Sequence, residues 1–460
     1  MPNHRENPRG RQSERRHAIS PLSIILAAGL CIGACNNSGV MNNKPSKCKA
    51  AAVNIPLPVA PDSERVDLAV PVFSNPGNVT NPLFPISSLA SVVLLGESDG
   101  EPFRSETTLL PGTKRITWNG EQEVEALESQ YVAYLDGRLH EVALDWYVQD
   151  DDGNVWYLGE DVFNYEDGRV AEMEGTWISC EDGPAAMIMP ANPRVGDVYR
   201  PENSFGIVFE EVEVKSIGRT VPGPYGSVNG AILVEELHAD GTYEDKTFAP
   251  GYGEFSTGAV GSGNLEVVAV AVPANALPGA LPAELETLLS GANEIFDAAE
   301  AEQWKAVEAS AAAMSAAWTT YRAGGVSAML EAQMNDALES LDQEIPLRDP
   351  FEVRQAAVEV ARATLDFRLR HRPPTEIDLG RFDQWVRQVL LDAEGNDRSG
   401  VRGDVSTLEW VWDRFAHTIG GTAAAAIEAE LGALRAAADA GNLPVATASA
   451  TRLREMLDAL

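Results

Sequence analysis

The sequence has 460 residues, of which 44% are hydrophobic and 23% are charged, a composition typical of a globular protein with room for two or three domains. It carries 35 lysines and arginines against 69 aspartates and glutamates, for a formal net charge of -34. This balance excludes proteins that bind nucleic acid or anionic lipid through a basic surface.

The first residues of the chain predict export. Five arginines within residues 1–17 precede an apolar stretch over residues 24–30, which is too short to span a membrane. The following residues, Ile32-Gly33-Ala34-Cys35, resemble the lipobox of bacterial lipoproteins. We therefore expect residues 1–34 to be a lipoprotein signal peptide and Cys35 to be lipidated, so that acyl chains such as palmitate insert into a bacterial membrane. The body of this cell-envelope protein is then expected in the periplasm or at the cell surface.

The cysteine content fits an oxidising compartment. Once Cys31 leaves with the signal peptide and Cys35 becomes the anchor, only Cys48 and Cys180 remain. These two are free to form one disulfide or to stay as thiols, because the sequence does not give the distance between them. The chain has no CxxC motif and only six histidines, which argues against a zinc site.

The next two segments predict a tether and a β domain. Residues 35–65 are rich in Asn, Pro, Ser, Lys and Ala without periodicity, as in a flexible tether. From 66 to 272, short β-branched and aromatic runs are separated by Asp-Gly pairs, for example Asp136-Gly137 and Asp167-Gly168. Such pairs are a strong hairpin signal, so we predict an antiparallel all-β domain with a curved or barrel-like sheet.

The remainder predicts a helical domain. Residues 273–282 are rich in Pro and Ala and read as a linker, and residues 283–460 show helical periodicity. Apolar residues from Trp304 to Tyr321 predict one helix, and Asp349-Pro350 is a helix start. Pro373-Pro374 is expected to end that second helix. Further helices are expected at about 376–393, 402–417, 423–439 and 444–459. The fold class is therefore a multidomain α+β protein with an all-β domain followed by an all-α bundle.

The β part resembles an uncharacterised family of bacterial exported proteins and lipoproteins. The motifs that carry the resemblance, in order over residues 81–257, are Asn81-Pro82-Leu83-Phe84-Pro85, then Asp145 to Asp161 (DWYVQDDDGNVWYLGED), Gly196 to Arg200 (GDVYR) and Ala249 to Gly253 (APGYG). The sequence departs from the family at Val92-Val93-Leu94-Leu95, where aromatic residues are usual, and at Cys180, where glycine is usual. The resemblance implies a shared β domain and export, and it brings no known activity or catalytic residue.

An acidic turn is a weak calcium candidate. Asp150, Asp152 and Asn154 have the alternate spacing of an EF-hand start, with Asp161 at the twelfth position. Val155 stands where that loop requires glycine, so a hairpin tip is the favoured interpretation.

Carboxylates that lie beside aromatic residues have two interpretations, a catalytic site and an ordinary sheet. Asp145, Glu160 and Asp161 lie near aromatic candidates for ligand binding, which are Trp146, Trp156, Tyr157 and Trp177. Paired carboxylates beside aromatic platforms suit glycoside hydrolysis. The same pattern suits a sheet with aromatic residues inward and carboxylates in water, and this second reading is favoured.

One basic cluster stands out in the acidic chain. Arg368, Arg370 and Arg372 either bind an anion or form ion pairs with nearby acids. The ion pairs are the expected outcome, with Asp366, Glu376 and Asp378 as partners.

The leading functional prediction is a non-enzymatic envelope lipoprotein without a cofactor. It would be held at the membrane through the lipid anchor and would bind a small apolar molecule in the curved sheet or another envelope protein through the bundle. The alternative is a carbohydrate-active module that uses the carboxylates named above. No nucleic-acid partner is expected.

Overall fold

The computed structural model describes residue 48 and residues 55–120, 122–259 and 265–460. The predicted signal peptide and the predicted lipidation site, Cys35, lie outside the described residues.

The described part of the β domain is one antiparallel sheet of 14 strands. The strands are β1 (Ser91–Ser98), β2 (Glu101–Thr117), β3 (Glu123–Leu135), β4 (Arg138–Gln149), β5 (Val155–Glu166), β6 (Arg169–Glu172), β7 (Trp177–Ile178), β8 (Ala186–Met189), β9 (Val198–Ser204), β10 (Val208–Gly223), β11 (Gly226–His238), β12 (Tyr243–Ala249), β13 (Gly253–Ala259) and β14 (Leu265–Val272). The expected antiparallel β domain is confirmed.

Local turn chemistry explains the succession of hairpins. Asp136 and Gly137 both have positive φ, 48° and 71°, as a two-residue type I′ turn requires between β3 and β4. Asp167 and Gly168 repeat this between β5 and β6, with φ of 49° and 71°.

The strand order brings the two ends of the β domain together. It runs β6-β5-β4-β3-β2-β1-β14-β13-β12-β11-β10-β9, so the first strand pairs with the last in the middle of the sheet. β8 pairs with β5 and lies beside β9, which brings the two edges of the curled sheet close to each other. The sheet is curved as expected but is not closed into a barrel.

The described residues beyond the sheet form eight α-helices. They are α1 (Ala283–Glu300), α2 (Trp304–Arg322), α3 (Ala328–Glu344), α4 (Pro350–Arg368), α5 (Pro374–Glu394), α6 (Arg398–Phe415), α7 (Gly421–Asp439) and α8 (Leu443–Leu457). The predicted helical domain is confirmed, and the Asp349 side chain caps α4 by accepting a hydrogen bond from the Phe351 N–H, 3.0 Å away. Pro374 begins α5 instead of ending α4, because proline is well accommodated in a first helical turn.

The helices cover the outer face of the sheet through two apolar clusters. One cluster joins Val93 and Val270 of the sheet to α1–α4, and the other joins Val132 and Val142 to α5–α8. None of the described helices is long and apolar enough to cross a membrane.

The segments predicted to be a linker and a tether are partly ordered by packing. In the linker, Asn275 is buried and donates a hydrogen bond to the Tyr252 hydroxyl at 2.7 Å. At the end of the tether, the Ala60 N–H donates to Glu211 at 2.6 Å, and Arg65 forms an isolated β-bridge with Val198 of β9. These residues therefore pack on the β domain.

Candidate ligand-binding cavity

The concave face of the sheet encloses a cavity of about 230 Å³. This volume is below the roughly 300–1,000 Å³ of sites for drug-sized ligands, so it suits a small molecule. One part of its wall is apolar and is formed by Phe84, Leu89, Val92, Leu94 and Phe248.

The segment before β1 plugs one end of this cavity. Asn81 is buried, and its side-chain amide donates to the carbonyls of Gly153 and Pro190, both at 3.1 Å. The carbonyl of Pro82 accepts a hydrogen bond from the Gly251 N–H at 2.9 Å. Several motifs that carry the family resemblance therefore meet here and hold Phe84 against the cavity. Their role is structural support.

The rest of the wall is acidic. Seven carboxylic acids line the cavity with a single lysine, Lys246; the acids are Glu141, Asp145, Glu160, Glu236, Glu244, Glu254 and Glu266. Glu202 and Glu210 adjoin them, and His238 is a further basic group that contacts this set. Carboxylic acids in and beside the wall outnumber its basic groups severalfold.

The strand register places like charges directly opposite each other. Asp145 faces Glu160 across β4 and β5. The same holds for Glu202 with Glu210 across β9 and β10, and for Glu236 with Glu244 across β11 and β12. Like charges at such positions destabilise a sheet, so their repetition around one cavity needs a compensating cation or proton.

At the β4–β5 side of the cavity, burial keeps the carboxyl groups protonated to an unusually high pH. Burial raises the pKa of Asp145 to about 7, although the Tyr157 hydroxyl donates a hydrogen bond to it at 2.6 Å. Burial and the neighbouring Asp145 raise the pKa of Glu141 to about 7 and that of Glu160 well above its ordinary value. Among the residues that the structure describes, no lysine, arginine or histidine forms an ion pair with Asp145, Glu141 or Glu160 at this side.

At the β10–β12 side, a histidine and a lysine lie among the acids. His238 Nδ1 is 3.5 Å from Glu210 Oε1, and its Nε2 is 3.8 Å from Glu244 Oε2. Lys246 Nζ is 3.1 Å from Glu236 Oε2. Burial opposes the charge on His238, but Glu210 and Glu244 outweigh it and raise the histidine pKa to about 10.

Several buried polar atoms of the wall have no hydrogen-bond partner. They include the hydroxyl of Tyr199, Oε1 of Glu236 and Oε2 of Glu266. These three residues are 1%, 2% and 6% exposed, respectively. Unsatisfied buried polar groups cost about 1–3 kcal/mol each. Their convergence on one cavity indicates a polar ligand that would satisfy them.

The aromatic candidates from the sequence divide between core and cavity. The described residues that line the cavity do not include Trp146, Trp156 or Trp177, which are buried in the core of the β domain. Tyr157 supports the cavity through its hydrogen bond to Asp145, and Tyr147, stacked on Tyr157, lines it. The tryptophans thus form core instead of a ligand-binding platform, because both faces of the sheet are covered at this end.

The calcium candidates do not converge. Both carboxylate oxygens of Asp150 accept hydrogen bonds within the turn, from the Asp152 and Asn154 N–H groups and from the Asn154 and Trp156 side chains. Asp161 lies on β5 opposite Leu144 and is 3.6 Å from Lys114. The turn is a hairpin tip with its acceptors used internally, which agrees with the favoured sequence interpretation.

The remaining candidates have structural partners. Arg368 and Arg372 form ion pairs with Glu376 at 3.8 and 3.3 Å, and Arg370 donates to the Asn275 carbonyl at 2.9 Å. Asp366 and Asp378, the other expected partners, pair with arginines outside this cluster. A disulfide joins Cys48 to Cys180.

Sequence reasoning singled out Asp145 and Glu160 but missed the acids of β9–β14. A local signal does exist in β11, where Ile232, Val234, Glu236 and His238 share one face. When charged residues follow apolar residues on the same face of a strand, the space that this face encloses is expected to be polar at the charged positions.

No family model matches this chain, and no curated protein matches it either. The resemblance of residues 81–257 to exported bacterial proteins therefore stays a prediction.

Proposed function

We propose that the protein is a non-enzymatic, exported lipoprotein of the bacterial envelope whose β domain binds a small organic cation with an apolar group. The charge of the cavity carries this proposal, since seven carboxylic acids face a single lysine there. The lipid anchor at Cys35 and the envelope location are proposed from the sequence alone.

The two parts of the wall suit two parts of one ligand. An ammonium group placed between Asp145 and Glu160 would relieve the repulsion between these facing carboxylates. An apolar group on the same ligand would contact Phe84, Leu89 and Phe248, which lie on the same cavity. This proposal replaces the purely apolar ligand expected from the sequence, because an apolar molecule would leave the carboxylates unpaired.

The test is isothermal titration calorimetry of the purified protein with three probes of nearly equal size. Benzylamine carries a positive charge, benzyl alcohol is neutral and benzoate is negative. We expect benzylamine to bind at least about tenfold more tightly than benzyl alcohol, because a hydrogen bond to a charged group contributes about 1.5–3 kcal/mol. Benzoate is expected not to bind.

Matched variants localise the binding. Glu160→Gln should weaken benzylamine binding, whereas Glu172→Gln, on the exposed strand β6, should leave it unchanged. Equal binding of benzyl alcohol and benzylamine would favour an apolar carrier, and no binding of any probe would contradict the small-molecule function.

A carbohydrate-active function is the second candidate. Asp145 and Glu160 face each other across β4 and β5 on the cavity wall, as paired catalytic carboxyls would. The buried position of the tryptophans removes the aromatic platforms that motivated it. Release of nitrophenol from nitrophenyl glycosides by the native protein, abolished in Glu160→Gln, would support hydrolysis over cation binding.

A further inference from the structure

The β10–β12 side of the cavity has a geometry that differs from the rest of the acidic wall. One ligand atom each from Glu210, Glu236 and His238 lies within 4.8 Å of the others. Glu236 and His238 are two residues apart and share a face of β11, and Glu210 lies directly opposite His238 on β10. Two rigid neighbouring strands therefore fix all three groups.

We propose that Glu210, Glu236 and His238 form a binding site for a first-row divalent transition metal ion, with Zn²⁺ as its best-matched occupant. Two donor atoms that each bind an ion at about 2.0–2.2 Å are separated by no more than roughly 4.4 Å. The three donor atoms lie within 4.8 Å of one another, and His238 Nδ1 is 3.5 Å from Glu210 Oε1, so at most small side-chain rotations close the site.

An unpartnered buried atom provides a second and independent indication of a ligand. Glu236 is 2% exposed, and its Oε1 has no hydrogen-bond partner, while Lys246 occupies the other oxygen, Oε2, at 3.1 Å. Glu236 is one of the three residues of the proposed site. The Tyr199 hydroxyl, also buried and unpartnered, lines the same cavity.

The donor set selects the class of metal. An imidazole nitrogen with two carboxylates suits zinc, iron or manganese, whereas magnesium and calcium prefer oxygen ligands alone. A three-residue site also leaves a coordination position open to water or to another ligand. Glu244 lies next to the three ligands and adds a negative charge, since its Oε2 is 3.8 Å from His238 Nε2.

The test is a calorimetric titration of the chelator-treated, full protein with ZnCl₂, followed by titrations with CaCl₂ and MgCl₂. We expect one zinc ion per chain and binding of calcium and magnesium at least about tenfold weaker. Replacing Zn²⁺ with Co²⁺ should give visible absorption bands from an ordered cobalt site.

Matched variants separate this site from adventitious zinc binding. His238→Ala and Glu210→Gln should each weaken zinc binding by at least about tenfold. His140→Ala, at an exposed position of β4, and Glu213→Gln, on β10 beside Lys215, should leave it unchanged. Thermal melting checks that each variant is folded, and Glu210→Gln retains the side-chain shape if His238→Ala does not fold.

Failure of the metal site can be distinguished from failure of the proposed organic-cation binding. Equal zinc affinity in His238→Ala and His140→Ala would overturn the metal site, as would calcium binding as tight as zinc binding. The benzylamine titration without metal tests organic-cation binding at Asp145 and Glu160, so either proposal can fail alone.

Discussion

The molecule buries two groups of charged residues and balances them in opposite ways. Between the sheet and the helices, the ion-pair network contains equal numbers of acids and arginines, namely Glu106, Asp366 and Asp378 with Arg104, Arg381 and Arg414. On the other face of the sheet, seven acids line the cavity with one lysine. The comparison teaches that a buried carboxylate is not by itself a sign of function, whereas the lack of a counter-charge is.

The pKa values of Glu106 and Glu236 illustrate this contrast. Burial alone would raise the pKa of Glu106, but Arg381, Arg104 and Arg414 reverse this and lower it well below its ordinary value. In the cavity, burial and Glu210 raise the pKa of Glu236 to about 8 despite the nearby Lys246. The arginines therefore keep Glu106 ionised, although burial raises the pKa of its neighbour Asp378. In the cavity, burial favours the protonated form of Glu236, whereas His238 overcomes burial and lowers the pKa of Glu210 and Glu244.

Removal of one arginine from the interface should have the largest effect on stability. The Arg414 side chain is fully buried and lies 2.5 Å from both Glu106 and Gln130. Arg414→Met leaves Glu106 with less compensation, so we expect a loss of about 3–5 kcal/mol in the free energy of unfolding. Urea unfolding followed by circular dichroism measures this loss.

The control is Arg115→Ala, whose partners Glu123 and Glu125 are exposed. We expect this change to stay within about 0.5 kcal/mol. Similar effects of the two substitutions would show that the interface network does not depend on its arginines.

The cavity should make the protein more stable in weak acid than in weak base. Asp145 and Glu141 have folded pKa values of about 7, above the ordinary values of 3.8 and 4.5. The folded protein therefore binds more protons in this window, and stability is lost as the pH rises through about 7. Charged and titratable neighbours on the packed strands are Tyr147, Tyr157 and Glu160.

We expect the free energy of unfolding to be larger at pH 5 than at pH 8 by on the order of 1–3 kcal/mol. Asp145→Asn should reduce this difference and stabilise the protein at pH 8, because the amide still accepts the hydrogen bond from Tyr157. Glu172→Gln, on β6, should retain the full difference. If the free energy of unfolding of Asp145→Asn changed between pH 5 and pH 8 as much as that of the unsubstituted protein, Asp145 would be excluded as a source of the pH dependence.

A smaller effect is expected for the lysine of the cavity. Lys246→Met removes the cation 3.1 Å from the buried Glu236 and should cost about 1–2 kcal/mol at pH 8. Lys215→Met is the matched control, since its partners Glu213 and Glu235 are more exposed and the expected change is below about 1 kcal/mol. A larger effect at Lys215 in guanidinium unfolding would contradict a buried role for Lys246.

Local sequence patterns predicted most of the architecture. The Asp136-Gly137 turn, the periodic helix from Trp304 and the Asp349 cap all appear where they were expected. The patterns did not single out α1 or α3, and they assigned Pro373-Pro374 to the end of a helix. A proline suits both a helix stop and a first turn, and only the packing of α5 on its neighbours decides between them.

The candidate site was predictable only in part. Asp145 and Glu160 stand out because they lie 15 residues apart around one aromatic hairpin, and the register places them opposite each other. The proximity of Glu160 to Glu202 and Glu210 depends on the curvature of the sheet, because these residues lie on strands that are far apart in the sequence. The tryptophans lie in the core and not on the cavity wall, which a hairpin pattern does not reveal because it does not show which face a distant segment will cover.

The sequence by itself determined that this protein has an antiparallel β domain followed by helices, because strand period, turn chemistry and helix caps act between neighbouring residues. It also set the large excess of acidic residues. Only the tertiary structure decided which acids meet arginines at the helical interface and which face one another across the cavity. The physical reason is that a carboxylate's partner depends on strand register and sheet curvature, both of which arise from contacts distant in the chain.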